Sequence, residues 1–144
     1  MDYQEILDEI GVPLLLSPIP LERGGYYLPN AFEYGEEGAL VADGTLDGEG
    51  LELVVLHVCG HKITGCTLSK LSAPQLHIVN EAKANRFMIS RKAEDYLVEV
   101  DYMVNYFTPE RFLQRFKLSV ELFYDMADQE MKKIANKNKH LLVY

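Results

Sequence analysis

From Thr108-Pro109-Glu110 onward, apolar residues recur at three- and four-residue steps: Phe112, Phe116, Val120, Phe123, Ala127 and Ile134, with Met131 on the same side. Thr108 supplies a capping oxygen and Pro109 fits a first helical turn. The spacing predicts one amphipathic helix running to about Asn136. Its apolar stripe needs a partner layer, because a helix with one apolar face must bury it against a sheet or another helix. This requirement constrains the whole chain: the preceding residues must build something for the stripe to cover.

They offer a mixture of periods. Tyr3 to Ile10 reads as a short helix with Ile6, Leu7 and Ile10 on one side, stopped by Gly11 and Pro13. Residues 14–22, interrupted by Pro18 and Pro20, suit an extended or irregular segment rather than a central strand. Gly24-Gly25 opens a possible strand at Tyr26-Tyr27-Leu28. Ala39 to Leu46 and Leu51 to Cys59 read as the arms of a β-hairpin turning through Asp47-Gly48-Glu49-Gly50, the second arm apolar on both faces. Ile63 to Leu68 is a plausible further strand. Ser72-Ala73-Pro74-Gln75 begins a helix through Leu76, Val79 and Ala82 that ends near Asn85. Phe87 to Arg91 and Tyr96 to Val104 then form a second hairpin through Lys92-Ala93-Glu94-Asp95. The fold class expected is α+β: a single domain over residues 1–144, with an antiparallel sheet, an N-terminal helix, a middle helix and a long C-terminal amphipathic helix.

Composition narrows the function. The 144 residues suit one domain, and 48% are apolar, enough for a core without staples. The 14 basic and 22 acidic residues give a net charge of −8. Nucleic-acid backbones and anionic membranes both demand clustered cations, so neither is expected as partner. The one basic cluster, Lys132, Lys133, Lys137 and Lys139, falls where cations complement the negative end of a helix. Two cysteines are too few for a disulfide scaffold. No signal peptide or membrane span is read near the start, since the apolar run from Val12 to Ile19 is short and carries Pro13 and Pro18. A cytoplasmic location is expected.

The sharpest chemical feature is His57-Val58-Cys59-Gly60-His61, followed by Cys66. On a strand, His57, Cys59 and His61 would share a face, with Cys66 returning from the next strand. Zinc accepts such donors in fours, but six residues between the cysteines do not match the usual short Cys pairs. A buried, apolar Cys59 and a turn at His61 explain the segment more simply. A Cys/His nucleophile pair lacks a recognisable elbow or third orienting residue. Asp43-Gly44-Thr45 and Asp47-Gly48-Glu49 resemble calcium ligands superficially, yet turn chemistry accounts for them. Glu99 and Asp101 read as a solvated strand face. The expectation is therefore no catalytic residue, no cofactor and no metal, with His57, Cys59, His61 and Cys66 as the sole candidates for one.

The second half resembles the YbjN family and, more distantly, the small chaperones of type III secretion systems. The resemblance is carried by Leu76-His77-Ile78-Val79-Asn80-Glu81-Ala82-Lys83-Ala84-Asn85, by the paired segments Arg86-Phe87-Met88-Ile89 and Tyr96-Leu97-Val98-Glu99-Val100, and by Phe107-Thr108-Pro109-Glu110-Arg111-Phe112. It covers about 60 residues and implies a small, acidic, bacterial, cytoplasmic protein, commonly dimeric, without a catalytic motif. The function expected is a non-enzymatic module that binds another polypeptide as a homodimer. Tyr102, Tyr106 and Phe107 are its candidate interface, since aromatics are favoured there. The alternatives are a metal-dependent or thiol enzyme centred on His57 to Cys66, and a small-molecule sensor.

Overall fold

A computed structural model of the chain describes residues 3–28, 38–63 and 74–144. The class is α+β, with a small three-stranded sheet and a majority of helix. The chain groups into two compact units, Asp2–Met88 and Ile89–Tyr144.

In the first unit, helix α1 (Tyr3–Ile10) buries Ile6 and Leu7, as its spacing predicts, and ends at Gly11 with φ +65°. Strands β1 (Leu14–Ser17), β2 (Gly25–Leu28) and β3 (Ala39–Asp43) form one sheet in the order β1-β3-β2. The sheet is mixed rather than antiparallel: Leu14 pairs with Leu40 in the parallel sense, and Tyr26 pairs with Val41 antiparallel. β1 is confined to an edge by its flanking prolines, which cannot donate to a ladder. β3 is central and buried throughout.

The expected hairpin from Leu51 is not formed. Residues Gly48–Ile63 make helix α2. Asp47 begins it: the Asp47 carboxylate accepts from the backbone N–H of Gly50 at 2.6 Å, and its carbonyl accepts from Leu51 N–H at 2.8 Å. The Asp-Gly-Glu-Gly segment is thus a helix cap and first turn, not a hairpin loop. A run apolar on both faces fits either a buried strand or a buried helix, and periodicity does not separate them. Val55, Leu56, Val58 and Cys59 are all fully buried. Gly25 sits where β2 meets this helix: a Cβ there would lie 3.0 Å from Val54 Cγ1 and 3.2 Å from Val58 Cγ2. The expected strand at Ile63 is corrected at its first residue, which ends α2; its remainder lies outside the described residues.

Helix α3 (Pro74–Glu99) replaces both the shorter middle helix and the second hairpin. Ala84, Met88, Ile89, Lys92, Ala93, Tyr96 and Leu97 are buried at three- and four-residue intervals. That helical period outweighs the two-residue alternation of Tyr96, Val98 and Val100. The paired segments that carried the family resemblance accordingly lie within one helix and the turn after it. Asp101 and Tyr102, at φ +55° and +61°, form that turn and do not continue a strand.

In the second unit, Tyr96 meets Phe112 and Phe116 with ring centroids at 5.7 and 6.0 Å. Lys92, read as a turn residue, is buried with its Nζ 4.9 Å from the centre of Phe116. The final helix is two helices, α4 (Pro109–Arg115) and α5 (Val120–Lys137). The break comes at Lys117, whose φ is +57°, and at Ser119, whose Oγ accepts from Leu122 N–H at 3.2 Å. The stripe persists across it as buried Phe112, Phe116, Ala127, Met131 and Ile134. Ser119→Ala is expected to cost about 1 kcal/mol, the usual loss of an N-cap. Urea unfolding checks this, and an unchanged midpoint would remove Ser119 as the device that starts α5. The chain end is held by a parallel bridge between Met103 and Val143.

Of the expected interface residues, Tyr106 is exposed, while Tyr102 and Phe107 are partly covered. Phe107 stacks on Tyr96 at 6.2 Å, and Arg111 lies 5.0 Å from the Tyr106 ring. Residues Val104–Tyr106 are a 3-10 turn rather than a strand end.

Candidate metal centre

Residues four apart on a helix lie one above the other on the same face. Because 48–63 is helical, His57 and His61 therefore share a face, and Cys59, two residues from each, is turned away. Their rings meet edge to face with centroids 4.8 Å apart. Cys59 is instead a buried core residue, whose burial pushes its thiol up to about 12. The expected face of His57, Cys59 and His61 is thus corrected to His57 and His61 alone. Cys66 lies outside the described residues.

The third member comes from α3. Glu81 Oε1 is 2.7 Å from His57 Nε2, and Glu81 Oε2 is 3.2 Å from His61 Nε2. What brings them together is a close helix crossing one turn away. A Cβ on Gly60 would lie 2.8 Å from Ala84 Cα and 2.9 Å from the Ala84 carbonyl oxygen. No side chain fits at that contact, so the two backbones touch there. Position 81 is one turn before Ala84 on α3, and the histidines flank Gly60 on α2. Both histidines are about four-fifths covered, whereas half of the Glu81 side chain is open to solvent.

Electrostatics follow the geometry. The hydrogen bond from His57, then that from His61, hold the Glu81 carboxyl far below its ordinary value of 4.5, against the opposing effect of burial. A carboxylate depressed in this way stabilises the fold fully above its ordinary value, and its contribution is lost as pH falls below that value towards the folded one. In metal-free protein, the stability gap between wild type and Glu81→Gln is therefore expected to narrow as pH falls below 4.5. Thermal unfolding across that range checks the sign; a gap that widens on acidification would contradict it.

His57, His61 and Glu81 form a group whose ligand atoms all lie within 4.8 Å of one another. Zinc held at about 2.0–2.2 Å by nitrogen and oxygen donors in a tetrahedron needs those donors about 3.3 Å apart. The His57–Glu81 and His61–Glu81 contacts, at 2.7 and 3.2 Å, lie below that spacing, and all three donors fall within 4.8 Å of one another. The acidic segments that resembled calcium ligands have other duties. Asp47 caps α2, and Asp43 accepts from the N–H groups of Leu21 and Thr45. Glu99 pairs with Arg115 at 2.9 Å. In comparisons with family models, curated proteins and solved structures, none matches the chain.

As strand residues, His57 and His61 share no helical face, so nothing local in the sequence singles out Glu81. The signal that could have found it is His-x-x-x-His at helical spacing followed by a carboxylate on the next helix, a known zinc-ligand arrangement.

Proposed function

We propose that this chain is a metal-binding protein in which His57, His61 and Glu81 hold a zinc ion. The observation that supports it is the convergence of two imidazole Nε2 atoms and a carboxylate, from two helices locked together at Gly60 and Ala84. Two histidines and one glutamate are an established zinc donor set, and imidazole with carboxylate suits zinc among the available metals. Protein purified without chelators is expected to carry about one zinc per chain, the stoichiometry of a mononuclear centre. Elemental analysis reads this directly. Absence of any transition metal, together with no uptake on titration, would sink the proposal.

A second reading, binding of a polypeptide as a homodimer, is favoured by one observation. Met103, Tyr106 and Val143 are exposed large apolar side chains on the Ile89–Tyr144 unit. Light scattering after size-exclusion chromatography tests it, and a strict monomer at high concentration would count against it. No described helix is long and apolar enough to cross a membrane. The buried, free Cys59 suits a reducing compartment, which supports a cytoplasmic location as part of the same proposal.

A further inference from the structure

We infer that the metal of the His57–His61–Glu81 centre is a clasp on the fold: its occupancy sets how often helices α2 and α3 separate at their crossing. This rests on the zinc reading above and deepens it by stating what the bound ion does to the chain.

The ligands are divided between the two helices. His57 and His61 stand on α2, on either side of Gly60, and Glu81 stands on α3, one turn before Ala84. Gly60 meets the Ala84 backbone directly. A glycine and an alanine interlock little side chain at that contact, and dispersion attraction grows with the number of atoms that touch. The polar link beside it runs through Glu81, which reaches His57 at 2.7 Å and His61 at 3.2 Å with separate oxygens. An ion held by all three donors ties α2 to α3 one helical turn from the backbone contact.

Reciprocity fixes the consequence. The three donors converge only while the helices are in contact. An opening that carries Glu81 away from the histidines breaks the centre, so zinc suppresses that opening by the factor by which it favours the closed arrangement. With free zinc at about 100 times its dissociation constant, the suppression is about 100-fold. Both helices feel it equally, because one event frees both. An ion held by the histidines alone would stiffen α2 and leave α3 as it was.

The test is amide hydrogen exchange on the full chain, which reports local opening helix by helix. Exchange is compared between zinc-stripped and zinc-saturated protein at one pH, over residues 58–63 of α2 and 81–88 of α3. The expected result is that both sets slow together, by about 100-fold at about 100 times the dissociation constant. In Glu81→Ala, with zinc raised until the histidine pair is saturated, α2 is expected to slow while α3 does not. Wild-type protein that binds zinc without slowing α3 would overturn the inference and leave the metal reading intact. So would α3 slowed as much in Glu81→Ala as in wild type, since the tie would not then run through Glu81. No zinc uptake at all would instead defeat the metal reading on which the inference rests.

Discussion

His57→Ala and His61→Ala are each expected to weaken zinc binding by more than about 100-fold. Changing a residue that merely supports a ligand typically costs 10–100-fold, and these changes remove a ligand outright. They also leave the remaining donors split between one histidine on α2 and Glu81 on α3, without the pre-set pair at helical spacing. Glu81→Gln keeps the shape but loses the charge, and its affinity is expected to fall as well. The control is His140→Ala, which removes an exposed histidine in the 3-10 turn Lys139–Leu141 that is none of the three ligands. Competition against a chromophoric chelator measures all four, with far-UV circular dichroism confirming that each remains folded. Equal affinity of wild type and His61→Ala would eliminate the centre.

Gly60→Ala is expected to destabilise the protein by about 1–3 kcal/mol, the range for overpacking a tight contact. The sign is informative. Glycine inside a helix is worse than alanine by up to about 1 kcal/mol, so an unconstrained substitution would stabilise. The added methyl would meet the Cα and carbonyl oxygen of Ala84 at 2.8 and 2.9 Å, and backbone atoms cannot swing aside as a side chain can. The helices must move apart, loosening the packing around Cys59 and Ala84, both fully buried. The same movement draws Glu81 away from the histidines, so zinc affinity is expected to fall together with stability. Denaturant titration and chelator competition on the one variant check both. A gain in stability would show that the crossing is looser than described, and the basis for the centre's geometry would go with it.

Much of the fold was legible where a local signal was decisive. α1 falls on its predicted residues, because Gly11 and Pro13 end it unambiguously. β2 lies where Gly24-Gly25 opens a strand. The start of α4 follows from Thr108-Pro109, with the Thr108 hydroxyl accepting from Arg111 N–H. The misreadings share one cause. Leu51 to Cys59 is apolar all round, so its local pattern admits a strand or a helix equally. Read as a strand, it makes Asp47 a turn residue and removes the helical relation of the two histidines. Lys92 and Ala93 looked like a turn because a buried lysine is rare. Its place against Phe116 exists only after α3 and α4 have packed.

The sequence by itself determined the mixed α and β character, the Thr108 cap, the apolar stripe from Phe112 to Ile134 and the presence of two histidines four residues apart. These depend on interactions within a few residues of chain. Only the tertiary structure decided that 48–63 is a helix, that the sheet is mixed, and that Glu81 stands opposite His57 and His61. Those outcomes depend on which surfaces meet. Gly60 and Ala84 are 24 positions apart in the chain, and nothing local in either residue says that their backbones touch.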